Sequence, residues 1–266
     1  MKITETRKLN TIKVLTVNYF TAAVIAFLTP VGGAEITFSL SAATPGIILA
    51  VLVGTIFIAN FFIYSKSVNK NGVGISVAAM RISLLIPVLL SVLWYLEYLE
   101  TRQWVGIFTV IIALFLLLPN KRKMLREPKS AAWLLVLLFV GTGLGDGSLK
   151  IFEMDFSEQL TKEQFMGTVF LSAMIVGFII IFIKDTVSFN RQEITLGIVV
   201  GVPNLYSAIF LIEALGQLNG AIVYSTVNIL TVLGATLLGM IRWGDRVTSA
   251  QWFGIAATIL SIILLI

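Results

Sequence analysis

The chain of 266 residues contains no cysteine and no histidine, and only 12% of its residues are charged. Without cysteine there is no disulfide, no thiolate nucleophile and no cysteine metal site. Without histidine, the commonest metal ligand and the usual proton shuttle of enzymes are missing as well. A soluble domain usually has about 25% charged residues, so the low charge argues against a soluble protein.

Long apolar runs lie between the charged residues. Apolar residues make up 58% of the chain, and charge-free runs recur along its whole length. A helix needs roughly 20 apolar residues to cross a bilayer core of about 30 Å, and its backbone groups must be satisfied internally. The pattern predicts an all-α polytopic membrane protein with nine spans, at residues 14–30, 45–65, 72–96, 103–119, 130–149, 164–183, 194–212, 219–241 and 248–266.

Basic residues are distributed unevenly between the loops that join these spans. If the N-terminus is cytoplasmic, the loops on that side carry fifteen lysines and arginines, whereas the opposite side carries only Arg102, Lys150 and Lys162. This asymmetry follows the positive-inside rule and places the C-terminus outside. We therefore expect a multi-pass protein of the cell membrane, in a bacterium the inner membrane. The positive charges are scattered over short loops, so nucleic acid is not an expected partner.

Two parts of the sequence repeat each other. The stretch "QWVGI" returns as "QWFGI" 148 positions later, and at that offset residues 71–118 align with 219–266, including Asn71 with Asn219. The first copy starts from a cytoplasmic loop and the second from an external loop, so the copies are predicted to be inverted. Inverted repeats are a common plan of secondary transporters. A repeat that only builds a scaffold is the alternative.

The repeat divides the chain into a first repeat at 1–119, a basic cytoplasmic linker at 120–129 and a second repeat at 130–266. The second repeat has five spans and the first has four, because the span at 130–149 has no partner. The predicted fold is thus an inverted-repeat helical bundle with nine spans, four plus five, of an expected ten, five plus five. The absent partner predicts an N-terminal truncation or a misassigned start.

The stretch that begins "GVPNLYSAIFLIEALGQLNG" at residue 201 resembles the last three helices of the drug/metabolite transporter superfamily, in its EamA-type branch. Asp245 and "QWFG" at 251–254 match that family's acidic residue and Gln-x-x-Gly, and Glu97 and "QWVG" match them in the first half. The resemblance implies ten helices, both termini in the cytoplasm and secondary transport. This chain departs from the family in its nine spans and in its predicted external C-terminus.

The expected function is secondary transport, as export or import, of a small metabolite by alternating access. An amino acid or another anionic or zwitterionic solute is expected. The alternatives are a non-transporting accessory subunit and a truncated inactive paralogue.

An enzyme is not expected, because no histidine, cysteine, close carboxylate pair or phosphate-binding loop is present. No cofactor or metal is expected. The expected partners are the lipid bilayer, the solute, a coupling ion (H⁺ or Na⁺) and, as an open alternative, a second copy of the chain.

Arg81 is the only charged residue deep inside a predicted span. A charge at that depth is costly and usually faces a cavity. It could hold an anionic group of the solute. Alternatively it could cap helix carbonyls freed by Pro87, such as that of Ser83.

The other candidate binding residues are polar side chains within or near the ends of spans. Asp146 and Lys150, four residues apart, could bind solute or simply pair with each other; a direct contact between Arg81 and Asp146 is not expected, because their depths differ. The remaining candidates could bind solute or hydrogen-bond helix to helix. They are Asn18, Tyr19, Asn60, Asn204, Tyr206, Tyr224 and Asn228, with Tyr224, Asn228 and Thr231 predicted to form one stripe.

The absence of native cysteine allows a direct test of orientation. A single cysteine within 121–129 is expected to resist an impermeant maleimide added to intact cells, because that linker is predicted to be cytoplasmic. A cysteine within 152–160 is expected to react. Gel-shift labelling measures both, and the reverse pattern would place the N-terminus outside.

Overall fold

A computed structural model describes residues 9–29, 40–117, 131–184, 188–243 and 248–266. All regular secondary structure in these ranges is helical. The helices are α1 Thr11–Leu28, α2 Leu40–Asn71, α3 Val73–Ile82, α4 Leu85–Leu89, α5 Thr101–Leu117, α6 Ala132–Phe156, α7 Lys162–Lys184, α8 Arg191–Gln217, α9 Gly220–Trp243 and α10 Ser249–Leu265, with a π-helix at Leu90–Trp94.

Seven helical segments in the described ranges are long and apolar enough to cross a bilayer. They lie in α1, α2, the run Val73–Trp94, α6, α7, α8 and α9. Helices α5 and α10 are also apolar but have 17 residues each. The prediction of an all-helical polytopic protein is therefore confirmed, while the exact number of spans stays a prediction.

The helices group into two compact units. The first consists of Met1–Ala59 and Ile151–Gly216, and the second of Asn60–Lys150 and Gln217–Ile266. Helices α2 and α6 therefore contribute residues to both units. The units do not follow the predicted repeat boundaries, which remain a prediction. The linker 120–129 and Asp245 lie outside the described residues.

Small residues allow the helices of the first unit to approach closely. Helix α1 packs along α7, where Gly177 lies against Thr16. Gly54 of α2 lies against the backbone carbonyl of Val169 in α7. Close approach at small residues is the usual packing of apolar helices in a bilayer, where dispersion and hydrogen bonds hold helices together.

The run from Val73 to Trp94 in the second unit is interrupted instead of forming one regular span. Pro87 has no N–H group and cannot donate to the carbonyl of Ser83, four residues earlier. That carbonyl accepts a hydrogen bond from the Ile86 N–H at 3.0 Å instead, and the π-helix follows. Just beyond it, Leu96 has φ of 53°, in the left-handed region that a non-glycine residue seldom adopts.

The glutamines of the repeated motif begin α5 and α10 in the same way. Gln103 Oε1 accepts a hydrogen bond from the Glu100 N–H at 3.0 Å. Gln251 Oε1 accepts one from the Thr248 N–H at 2.9 Å, completing a capping box. These contacts satisfy backbone donors that have no partner within the helix.

The same glutamines also join α5 to α10. Gln103 Nε2 donates to the carbonyl of Leu265 at 3.4 Å, and Gln251 Nε2 donates to the carbonyl of Leu117 at 3.3 Å. Each glutamine therefore connects the start of its own helix to the end of the other. The two helices pack antiparallel along their length.

Gly54 and Gly234 are expected to respond differently to substitution by alanine, because their surroundings differ. A Cβ at Gly54 would overlap the carbonyl oxygen of Val169, whereas a Cβ at Gly234 meets nothing within 4 Å. Gly54→Ala is expected to lower the melting temperature of the purified protein. Gly234→Ala is expected to leave it unchanged or raise it, because alanine favours a helix by about 0.5–1 kcal/mol. Thermal unfolding in detergent measures both, and equal effects would contradict the packing.

Candidate functional site

A polar stripe runs along α6 in the second unit. Thr142, Asp146 and Lys150 are spaced four residues apart, so they share one helix face. Each takes part in an interaction with a side chain from another segment of the same unit. We call these three residues the α6 stripe. Thr142 was missed by the sequence reasoning, although its spacing from Asp146 was a usable signal.

Arg81 lies at the end of α3, one residue before the helix terminates. Its Nη1 donates to Asn228 Oδ1 of α9 at 3.3 Å, and its charge interacts with Asp146. The hydrogen bond of Arg81 among the described residues goes to Asn228 and not to the carbonyl of Ser83, which accepts the Ile86 N–H. A positive charge at a helix C-terminus is favoured by the helix dipole.

Asp146 lies near Arg81 without touching it. The two charges interact electrostatically, but within the described ranges they form no direct ion pair. Tyr224 Oη donates to the backbone carbonyl of Asp146 at 2.7 Å, so α9 holds this part of α6 in place.

Lys150 forms an ion pair with Glu97, at 2.9 Å between Nζ and Oε1. The side chain of Lys150 is 2% exposed and that of Glu97 is 12% exposed. Glu97 Oε2 also accepts the Gly220 N–H at the start of α9, at 2.7 Å. Glu97 was not predicted as a site residue. Its alignment with Asp245 in the repeat was the available signal.

Asn60 of α2 meets the other end of the α6 stripe. Its Nδ2 donates to Thr142 Oγ1 at 2.7 Å, and its Oδ1 is buried without a hydrogen-bond partner among the described residues. Gly141 packs directly against this oxygen, so the absence of a side chain there allows the close approach of α2 and α6.

The predicted stripe on α9 is only partly directed at this site. Tyr224 is buried, at 2% exposure, and Asn228 connects to it through an Nδ2 bond to its carbonyl at 3.3 Å. Thr231 is exposed, and its hydroxyl donates to the carbonyl of Val227 in its own helix. Thr231 therefore has no part in the site.

The candidates of the first unit are arranged differently. Asn204 Nδ2 donates to Asn18 Oδ1 at 3.3 Å, joining α8 to α1. Tyr19 is buried and stacks on Phe170, with ring centroids 5.9 Å apart. Tyr206 is 38% exposed. These contacts match the helix-to-helix alternative better than a solute site.

An apolar cavity of about 340 Å³ lies beside Arg81 in the second unit. Residues of α3 and α5 form most of its wall, and among the described residues that line it Arg81 is the charged one. Ligand pockets usually measure about 300–1,000 Å³, so this cavity is at the small end of that range. The described residues contain no group of three acidic side chains that could hold a metal ion.

Comparisons with known proteins identify relatives but no activity. No model of a known protein family matches the chain. An uncharacterized protein of Haemophilus influenzae is 31% identical over 202 residues, which cover 73% of this chain and 67% of that protein. A protein of known crystal structure matches with a TM-score of 0.75 over 95% of this chain and 86% of its own, at 10% identity. The structural likeness shows a shared fold alone.

The hydrogen bond between Arg81 and Asn228 can be tested by a double-mutant cycle. Asn228→Ala is expected to destabilise the protein by about 1–2 kcal/mol, because it leaves a poorly solvated charge without its hydrogen bond. In the Arg81→Leu background the same change should cost much less. Thr231→Ala, on the same helix, is the control and should have little effect. Thermal unfolding in detergent measures the cycle, and a coupling energy of zero would contradict the contact.

Proposed function

We propose that this chain, which belongs to the same family as the Haemophilus influenzae protein, is a secondary transporter of the drug/metabolite transporter type. It moves a small anionic or zwitterionic metabolite across the cell membrane by alternating access. The observation that carries the proposal is the group of charged residues within apolar helices of the second unit. Arg81 and Asp146 belong to this group, and no direct ion pair joins them among the described residues.

Charged side chains inside apolar spans are rare because burial in lipid is costly, and they usually mark solute or ion pathways. A guanidinium can bind a carboxylate through two parallel hydrogen bonds. Asp146 offers a site for an ammonium group or for a coupling H⁺ or Na⁺. Asn228 and Tyr224 orient these two charges through contacts with Arg81 and with the Asp146 backbone.

The reciprocal packing of α5 and α10 supports an inverted repeat. Gly106 packs against Leu265, and Gly254 packs against Leu117. Adding the repeat offset of 148 to 106 and 117 gives 254 and 265. The two contacts therefore exchange under the sequence repeat, as expected of copies related by a pseudo-two-fold axis in the membrane plane. Together with the apolar runs and the uneven distribution of lysine and arginine between the loops, this leads us to propose nine spans with a cytoplasmic N-terminus.

The interruption next to Arg81 also favours transport. Transporter sites are typically formed by discontinuous helices, whose ends present backbone dipoles to the solute. Here α3 ends at Ile82 and α4 starts at Leu85. Irregular backbone at membrane depth is tolerated where it is buried in protein or lines a cavity. The apolar cavity beside Arg81 meets the second condition.

Counterflow in proteoliposomes tests the proposal. Liposomes containing the purified protein are loaded with a panel of unlabelled amino acids and organic acids, and uptake of the labelled compound is followed. At least one solute is expected to accumulate. Arg81→Lys keeps the charge but loses the planar fork, so uptake should fall roughly tenfold, equivalent to about 1.4 kcal/mol. Arg102→Gln, an exposed arginine in the same unit, is the control and should transport normally.

Size-exclusion profiles of each variant separate loss of transport from loss of folding. If Arg81→Leu folds and moves the solute at the parental rate, Arg81 is structural and the solute need not be an anion. If no solute of the panel shows counterflow, the accessory-subunit alternative is favoured over transport.

A further inference from the structure

We propose that the cavity beside Arg81 binds small monocarboxylates that carry a hydrocarbon group, and that it thereby sets the class of solute that this chain moves. The hydrocarbon group lies in the cavity and the carboxylate contacts the guanidinium of Arg81. The statement about the solute class rests on the proposed function. Binding in the cavity does not.

The wall of the cavity is made almost entirely of hydrocarbon. Apart from Arg81, the described residues that line it are alanine, leucine, isoleucine and phenylalanine. Their side chains offer no hydroxyl, amide or carboxylate group. A solute with hydroxyl or ammonium groups along its body would lose its hydrogen bonds to water in this cavity without replacement, which is costly. The wall therefore favours a solute with a hydrocarbon body.

The size of the cavity fits a hydrocarbon group of several carbon atoms. Its volume is about 340 Å³. A cavity of roughly 150 Å³, lined by the same types of apolar side chain, is large enough to bind benzene. The cavity beside Arg81 can therefore hold a group larger than a benzene ring, and affinity should increase with each methylene until the space is filled.

One side of the cavity is formed by exposed residues. The exposed fractions are 56% for Ile112 and 47% for Phe115, both in α5, whereas Leu84 and Leu114 of the wall are buried. In a helix that crosses a bilayer, exposed apolar side chains contact the lipid tails. A monocarboxylate with a hydrocarbon group partitions into the same region, so it can enter the cavity from this side.

Arg81 supplies the charge that favours a carboxylate over a neutral hydrocarbon. A guanidinium has five N–H donors, and among the described residues Arg81 donates one hydrogen bond, to Asn228. A carboxylate matches the geometry of the remaining donors. The acyl chain of a phospholipid carries no charge at the predicted depth of Arg81, so charge complementarity favours a free carboxylate as the occupant.

A series of straight-chain ligands tests the site. The protein, purified in detergent, is titrated with butyrate, hexanoate and octanoate, and the rise in melting temperature gives an apparent affinity for each ligand. The affinity should increase by up to about fourfold per methylene, the equivalent of about 0.8 kcal/mol. Hexanamide and hexylammonium have the same chain length without the negative charge, and they should bind at least tenfold more weakly than hexanoate.

Matched variants separate the cavity from the rest of the surface. Ile112→Trp fills the cavity from its exposed side and should remove most of the gain of octanoate over butyrate. Val105→Trp is the control, because Val105 is 50% exposed, lies seven residues earlier on the same face of α5 and does not line the cavity. All variants share one detergent, so differences between them do not reflect partition of the ligand into micelles.

A second pair of variants tests the charge. Arg81→Leu should lose the preference for hexanoate over hexanamide, whereas Arg102→Gln, at an exposed arginine of the same unit, should keep it. If Arg81→Leu cannot be purified, Arg81→Gln retains most of the side-chain length and is measured in the same way. Bound hexanoate should also slow the counterflow of any solute that the panel identifies, with a smaller effect on Ile112→Trp.

Equal affinity of the parent protein for hexanoate and hexanamide would overturn the carboxylate site and assign the cavity to a neutral acyl chain. A chain-length gain that Ile112→Trp leaves intact would overturn it as well. Binding without counterflow supports the site and counts against the transporter, whereas counterflow without hexanoate binding overturns the site and leaves the transporter in place. Counterflow that bound hexanoate does not slow would overturn the solute class.

Discussion

The need to satisfy buried charges inside apolar helices governs the organisation of the second unit. Lys150 is almost completely buried, and Glu97 forms an ion pair with it. Glu97 in turn fixes the first N–H of α9, and α9 carries the asparagine that binds Arg81. One chain of contacts therefore runs from an ion pair at the end of α6 to the guanidinium at the break between α3 and α4. Loss of any member leaves a polar group without its partner in a medium of low dielectric constant.

Much of the fold could be predicted from the sequence because apolar runs of sufficient length have few alternatives to a helix. The predicted end of a span differs from the observed end of its helix where a charged side chain forms an ion pair. Helix α6 continues through Lys150 to Phe156, beyond the predicted end of the span at 149, and Lys150 forms an ion pair with Glu97 within this extension. The predicted span 72–96 corresponds to the run Val73–Trp94, which is long and apolar enough to cross a bilayer. Hydropathy alone does not indicate the π-helix within that run.

The candidate site was predictable as a set of residue types and not as a set of contacts. Arg81 and Asp146 could be chosen because isolated charges in apolar runs are rare. Their relation to Asn228 depends on which faces of α3, α6 and α9 meet, and a single sequence does not specify this. For a related reason, the sequence does not specify which acidic residue forms an ion pair with Lys150. Spacing suggested Asp146, but the backbone of Leu96 turns Glu97 toward the lysine, and no local pattern indicates that turn.

Gln103 and Gln251 each stabilise the ends of two helices, and this limits the substitutions that either position tolerates. Each side chain satisfies its own helix start and the last carbonyl of the other helix. A change at either position would therefore weaken two helix ends at once, and a matching change in the other copy would double the loss without compensating for it. Position 81 has no such reciprocal contact, and the residue 148 positions later is Ile229. The contacts at the ends of α5 and α10 can thus stay unchanged while positions 81 and 229 differ in charge.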